Sequence, residues 1–351
     1  MIIPSRYQLA GGSSSGGMGD IIECVDTHLA RPVVLKLLKD GEEDRRLLDE
    51  QKALIKVRSK HVVQLYDVVN VRGASGDKEA LVLEHISGSD LRVGSFSPGL
   101  DYLKTLWQIA CGLSEIHEVG VIHRDIKPNN IRVDADNVVK ILDFGLARPE
   151  GVEAQTAHVI GTPVFMAPEL WQGSNISFDK AIDVYAFAIT ALALLSNQVP
   201  PELYQQPPIQ IEDGKLNDYL AGVPEDVVSV IEQCLNSTPE NRPSIRGVEE
   251  VIRRHLLRNR HRALLVLGDQ THEINASSPG GVVSSGSLGS LGIHYDGIHF
   301  LVKSVSGQVT VNNEAVIIGD RLPSCCVITF GSNSGNRKFV TFDVSNPEVT
   351  A

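Results

Sequence analysis

Residues 123–131 read HRDIKPNNI (His123 to Ile131), and they place a carboxylate at Asp125, an ammonium at Lys127 and a carboxamide at Asn130 within one short stretch. Three other stretches stand around it. LDFGLA follows at 142–147 and carries Asp143. GTPVFMAPE closes at Glu169. VVLKLL lies upstream, with Lys36 inside an apolar run that reads as a buried strand. One such stretch alone is a weak signal, whereas the full set in this order is specific.

The set resembles the signatures of the protein-kinase fold, in that family's order and spacing, over residues ~6 to ~257. The resemblance implies an α+β, two-lobed fold and phosphoryl transfer from ATP, with Mg²⁺ (or Mn²⁺), to a protein substrate. That chemistry needs charge neutralised on the triphosphate and the acceptor held in line. Lys36 is similar to the lysine that reaches the α and β phosphates, and Glu50 falls where a helix glutamate should pair with it. Read on its own, Glu50 is one more charge on an acidic helix. Asp125 resembles the catalytic aspartate that accepts the proton of the substrate hydroxyl, Asn130 and Asp143 the two metal-binding residues. Lys127 resembles the lysine that goes with Ser/Thr specificity and helps to hold the transferred phosphate.

The resemblance extends to supporting residues. Glu169 and Arg242 resemble an ion pair that braces the lower lobe. Asp183 resembles the helix aspartate that orders the backbone at His123 and Arg124, and an unpaired Asp in so apolar a helix would be costly. Arg124 matches kinases regulated by phosphorylation in the activation loop, here PEGVEAQTAHVIGTP, where the added charge pairs with the arginine. Thr156 is the expected regulatory site, and Thr162 is expected to be structural.

The nucleotide pocket departs from the pattern. GGSSSGGMG (11–19) has the composition of a slack linker, yet it aligns with a glycine-rich phosphate loop such as that of bacterial Ser/Thr kinases. Gly19 and Gly16 then take the third and second glycine positions, beside Gly17, and Ser14 replaces the first. Ser13 replaces an apolar cover of the adenine, and Gly11 and Gly12 fall where strand residues are expected, which weakens a strand. Ile21 and Val34 are candidate cofactor contacts, with Val34 in place of a smaller Ala. LVLEHISGSDL supplies the hinge: Leu83 as gatekeeper, Glu84 to Ile86 as adenine-binding backbone, and Asp90 for the ribose hydroxyls or, alternatively, as a helix N-cap. Arg132 replaces an apolar adenine floor. It could stack under a purine, swing out to solvent, or fill the pocket. The departures predict weak or unusual ATP affinity with the chemistry intact. A pseudokinase scaffold is the alternative, although Lys36, Asp125, Asn130 and Asp143 are all kept. A small-molecule kinase fits the full activation loop less well.

Composition agrees with a globular chain. The 351 residues are 42% hydrophobic and 21% charged, enough for more than one domain. A net charge of −11 disfavours nucleic acid and anionic membranes as partners. Cys24, Cys111, Cys234, Cys325 and Cys326 lack metal or redox spacing and read as reduced thiols. With no signal peptide visible at the N-terminus, the expected location is cytoplasmic. Ala181 to Leu195 is apolar but too short to span a bilayer, and it contains Asp183.

The chain reads as a 1–258 domain, with an N-lobe to about 86 and a C-lobe from about 87, followed by 259–351. In the first, EEDRRLLDEQKALIKV is an amphipathic helix with Leu47, Leu48, Leu54 and Val57 on one face, and SIRGVEEVIRRHLLRNR is a basic closing helix. The second has strand candidates ALLVLGD, IHFLVKSV, QVTVNN, EAVIIGD, CCVITFG and KFVTFDV, and a Gly/Ser loop, SSPGGVVSSGSLGSLG. An all-β sandwich is predicted. Its VNN-EAV-GD-ITFG progression resembles the second half of a forkhead-associated (FHA) domain, a phosphothreonine-peptide binder. No Arg lies between Arg262 and Arg321. The expected role is therefore docking or dimerisation through 259–351, with phosphothreonine recognition lost.

Overall fold

The computed structural model describes residues 2–16, 19–37, 43–73, 76–149, 153–154, 163–171, 176–177, 179–195, 199–268, 270–332, 335–345 and 347–349. The chain divides into two compact units, 1–252 and 253–350. The division falls inside the last helix of the first unit, whereas the sequence expectation placed it at 258.

The first unit begins with an antiparallel sheet in the order β1-β2-β3-β5-β4, made of β1 (Tyr7–Gly16), β2 (Gly19–Asp26), β3 (Arg31–Leu37), β4 (Leu65–Gly73) and β5 (Gly76–Glu84). Strand alternation gives the sheet two characters. Val33, Leu35, Leu37, Ile22, Cys24, Ala80 and Val82 share one buried core. Val34 and Lys36 therefore project to the opposite face, where Lys36 pairs across the sheet with Ile21 and Leu81, and Val34 with Leu83. β1 runs through Gly11 and Gly12 despite their cost to a strand, and the register shifts between Leu9 and Ser13. Ser14 is opposite Ile21, and Gly16 opposite Gly19. Residues 11–16 are thus one arm of an antiparallel pair whose other strand begins at Gly19, and not a linker.

Helix α1 (Glu43–Lys56) follows β3. Its buried face holds Glu50, Ala53 and Leu54, with Val57 just beyond its end, while Leu48 is 43% exposed. Leu54 and Val57 of the predicted apolar stripe are buried and Leu48 is not, and Glu50 joins the buried face. A carboxylate takes the central buried place because a lysine on β3 compensates its charge.

The remainder of the first unit is mostly helical. Its elements are β6 (Gly88–Asp90), α2 (Leu100–Glu118), β7 (Val121–Ile122), β8 (Ile131–Asp134), β9 (Val139–Ile141), β10 (Arg148–Pro149), β11 (Glu153–Ala154), β12 (Ile176–Ser177), α3 (Ala181–Leu195), α4 (Leu216–Tyr219), α5 (Glu225–Cys234) and α6 (Ile245–Leu256). Every residue of α3 from Ile182 to Leu194 is buried, so α3 is a core helix. Among the described residues no helix is long and apolar enough to cross a membrane. β6, β8 and β9 form a small sheet in which Asp90 faces Arg132. Asp90 accordingly ends a strand and caps no helix.

The second unit is built almost wholly of strands after the end of α6: β13 (Ala263–Leu267), β14 (Gln270–Ile274), β15 (Gly280–Ser284), β16 (Gly289–Tyr295), β17 (Phe300–Gly307), β18 (Val309–Val311), β19 (Glu314–Ala315), β20 (Cys325–Phe330) and β21 (Lys338–Val344). They make a six-stranded sheet, β14-β13-β21-β20-β18-β19, and a three-stranded sheet, β15-β16-β17. Leu265, Ile328, Phe330 and Phe342 from the first share one core with Val283, Leu291, Ile293 and Val302 from the second.

Two expectations need correction in this unit. SSPGGVVSSGSLGSLG is not a loop but contains β15 and the start of β16. Val283 and Leu291 are 2% and 0% exposed, so burial outweighs the poor strand propensity of Gly and Ser. Gly289 is needed for close approach: at φ 152° a Cβ there would lie 2.6 Å from the Ser306 carbonyl oxygen. Conversely, EAVIIGD is strand only at Glu314–Ala315, and Ile317 and Ile318 are exposed. The Asp320 carboxylate accepts the Ile317 N–H at 2.8 Å and turns the chain.

Candidate active site

Lys36 is the centre of the site. Strand alternation turns it away from the apolar core, and α1 brings Glu50 to it. Its Nζ donates to Glu50 Oε1 and Oε2 at 2.9 and 2.8 Å and to Asp143 Oδ1 at 2.9 Å. Lys36 and Glu50 are 6% and 1% exposed. Burial alone would lower the lysine's pKa, but the charges of Glu50 and Asp143 outweigh it and raise it, so Lys36 stays cationic. Burial raises Glu50 above the ordinary carboxylate range, against the pull of Lys36 and with the push of Asp143. Burial also acts to raise Asp143, yet Lys36 and the Gly145 N–H hold it below the ordinary value.

Asp143 has φ 60°, a left-handed conformation, and a Cβ at Gly145 would come within 3.2 Å of its Oδ1. The bend aims the carboxylate at Lys36. Among the described residues its Oδ2 carries no hydrogen bond.

The HRDIKPNNI segment forms a second cluster. Lys127 Nζ donates to both oxygens of Asp125, at 2.9 and 2.8 Å. Asn130 Nδ2 donates to Asp125 Oδ2 at 2.7 Å and to the Asp125 backbone carbonyl at 2.8 Å. Asn130 Oδ1 is thereby left without a hydrogen bond among the described residues. Asp125 and Asn130 are 5% and 8% exposed. Asn130 Oδ1 and Asp143 Oδ2 fit a small hard cation that keeps water or phosphate oxygens as its other ligands. No group of three or more His, Cys, Asp or Glu among the described residues could hold a metal unaided.

The segment is held from below. Asp183, fully buried on α3, accepts the backbone N–H of His123 at 2.8 Å and of Arg124 at 2.7 Å, and its Oδ2 lies 2.9 Å from His117 Nε2. His123 Nδ1 accepts the Asp125 N–H at 3.3 Å, and its Nε2 donates to the Leu142 carbonyl at 2.9 Å. Its ring meets Phe144 edge-on at 4.7 Å. One histidine thus ties the Asp125 loop to the Asp143 turn. The Glu169–Arg242 pair is present and bidentate, both bonds 2.7 Å, and Arg242 also donates to the carbonyls of Ala181 and Asn236.

Above this pair of clusters lie the predicted nucleotide contacts. Val34, Ile21 and Leu83 are on the sheet face that carries Lys36, and Glu84 and Ile86 follow β5 into the hinge. Arg132 Nε donates to Asp90 Oδ1 at 2.8 Å and its Nη1 to the Ile86 carbonyl at 3.3 Å, so its guanidinium joins the Asp90 carboxylate to the hinge backbone. For Ser14, Gly16 and Gly19 the backbone register alone is described. Gly17, Thr156 and Thr162 lie outside the described residues.

Two partners escaped the sequence reading. Glu84 was assigned only through its backbone, but its carboxylate takes Lys140 Nζ at 2.8 and 3.0 Å. His117 was not singled out. The weak signal available was its position on the α2 face that also buries Ile116 and Leu113.

A sheet lysine bridged to a helix glutamate, facing a paired Asp–Lys–Asn loop and a left-handed Asp, defines the fold and site of the protein kinases. The protein kinase domain model matches residues 12–255, and the chain belongs to that family. It is similar to a probable serine/threonine-protein kinase of Clostridium acetobutylicum, 30% identical over 260 residues, which are 69% of this chain and 38% of that protein. It is also similar to the serine/threonine-protein kinase PknB of Mycobacterium leprae (28% over 258 residues, 68% of this chain, 41% of that protein). A third likeness is to human receptor-interacting serine/threonine-protein kinase 1 (29% over 266 residues, 68% and 39%). The chain spans about two fifths of the length of these three relatives.

Proposed function

We propose that this chain is a Ser/Thr protein kinase that transfers the γ-phosphoryl group of ATP to a protein hydroxyl. The observation that carries the reading is the simultaneous bonding of Lys36 to Glu50 and Asp143, beside a buried Asp125 already paired to Lys127. Lys36, kept cationic, binds the α and β phosphates. Asp125 orients the acceptor hydroxyl and takes its proton. Lys127 stands at Asp125 to stabilise charge on the transferred group. Asn130 and Asp143 are the residues that would hold Mg²⁺ or Mn²⁺, which when bound neutralises phosphate charge. Leu83, Glu84, Ile86, Ile21 and Val34 form the adenine site, and Ser14, Gly16, Gly17 and Gly19 the phosphate loop. The presence of Lys36, Asp125, Asn130 and Asp143 together supports an enzyme over a scaffold.

Thr156 is our candidate for regulatory phosphorylation. Residues 259–351 we read as an FHA-like docking or dimerising module, a reading supported by its two sheets around one core. The test of the catalytic reading is transfer of labelled γ-phosphate from Mg-ATP to a mixed Ser/Thr peptide pool by the full chain. Label in peptide serine or threonine is expected. Equal label with Asp125→Asn would overturn the assignment.

A further inference from the structure

The nucleotide pocket contains an ion pair that no apolar floor could make. β6 and β8 run antiparallel with Asp90 directly opposite Arg132, so the two side chains rise from the same face of the small sheet. They meet at 2.8 Å, and the same guanidinium reaches the Ile86 carbonyl at 3.3 Å. Arg132 is thus fixed at two points, one on the residue proposed for the ribose and one on the hinge. Its side chain is 34% exposed and that of Asp90 51%, so the pair is open to solvent on one side.

We propose that Arg132 takes Asp90 away from the ribose, so that the nucleotide site does not distinguish a ribonucleotide from its 2′-deoxy form. The inference rests on the kinase reading above and names the sugar specificity of that site. A carboxylate without a counter-charge rewards a hydroxyl donor strongly, because hydrogen bonds to ionised acceptors are the strong ones. Asp90 has a guanidinium in contact. Its Oδ2 has no hydrogen bond among the described residues, but the charge behind it is compensated, and a hydroxyl bound there gains little over water. Pulling Asp90 free would break a two-point clamp that also secures Ile86. An apolar residue at 132 would leave Asp90 uncompensated and open to the ribose. The departure at position 132 therefore changes what position 90 can read.

The test is direct binding of Mg-ATP and Mg-2′-deoxy-ATP to the full chain by titration calorimetry, in the wild type, Arg132→Leu, Asp90→Ala and the double variant. The wild-type Kd values are expected to agree within about threefold, and Asp90→Ala to leave their ratio unchanged. Arg132→Leu is expected to favour ATP by about tenfold or more, and adding Asp90→Ala to cancel that preference. A wild type that already prefers ATP about tenfold, or an Asp90→Ala that weakens ATP alone, overturns the proposal. So does an Arg132→Leu protein with an unchanged ratio. If Arg132→Leu does not fold, the wild-type and Asp90→Ala arms decide. Failure of the wild type to bind either nucleotide defeats the kinase reading, and this inference with it. Binding of both with a strong ATP preference defeats the inference alone.

Discussion

Asp183 holds Arg124 in a left-handed backbone conformation: its Oδ1 accepts the Arg124 N–H at 2.7 Å, and Arg124 has φ 70°. Such a conformation costs a non-glycine residue about 1–3 kcal/mol. The bonds from His123, Arg124 and His117 to one buried carboxylate offset that cost. Burial acts to raise Asp183, yet His117 and His123 hold it below the ordinary carboxylate range. Asp183→Ala should therefore lose about 3–5 kcal/mol of stability, since it leaves two buried N–H groups without acceptors. Chemical denaturation measures this. A variant within about 0.5 kcal/mol of wild type would show that the latch is not structural.

Glu50 positions Lys36 and touches no substrate group in the proposed mechanism. Glu50→Gln preserves the shape but removes the charge that holds the ammonium. Loss of about tenfold to a hundredfold in kcat/KM is expected, because misplacement of a binding group by ~1 Å has effects of that size. The melting temperature should move little by comparison. Peptide phosphorylation with thermal denaturation of the same samples checks both, and an unchanged kcat/KM would contradict the role.

Acid should destabilise the sheet of the first unit through Asp26. Arg6 donates to both oxygens of this carboxylate, at 2.9 and 2.7 Å, and holds its pKa down to about 2 from an ordinary 3.8. A depressed carboxylate contributes stability that is full above its unfolded value and is lost as pH falls through the folded one. The contribution is therefore complete above 3.8 and disappears toward 2. Asp26→Asn should flatten the pH dependence of unfolding in that interval. An identical slope in variant and wild type would contradict the assignment.

Arg242→Lys should be far from conservative. The guanidinium makes two bonds to Glu169 and one each to the carbonyls of Ala181 and Asn236, with its side chain fully buried. An ammonium cannot reproduce that fork. About 2–4 kcal/mol should be lost, measured by denaturant unfolding. A loss below about 0.5 kcal/mol would mean that the fork adds nothing to a point charge.

The grouping of the candidate site was legible in the sequence because HRDIKPNNI and LDFGLA carry their polar groups in fixed local order. Lys36 and Asp183 were legible for a related reason: a single charge inside an apolar strand or helix needs a partner. Long-range pairs that no motif marks were not. Nothing in LVLEHI marks Glu84 as the partner of Lys140, some fifty-six positions away. The buried face of α1 was legible at Leu54 and Val57 but not at Glu50, which hydropathy assigns to solvent. Residues 277–292 looked like a loop because Gly and Ser have low strand propensity. Packing of Val283 and Leu291 between two sheets decides otherwise, and that is a tertiary effect. Position 132 was recognised as a departure, but the bond to Asp90 required the β6–β8 register.

The most direct measurement is nucleotide binding and phosphoryl transfer in one preparation of Asp125→Asn. Mg-ATP binding is followed by calorimetry and peptide phosphorylation by intact mass. The account predicts wild-type-like ATP affinity with transfer reduced by about a thousandfold or more, because the removed carboxylate acts on the acceptor hydroxyl and not on the nucleotide. Transfer at the wild-type rate would contradict it.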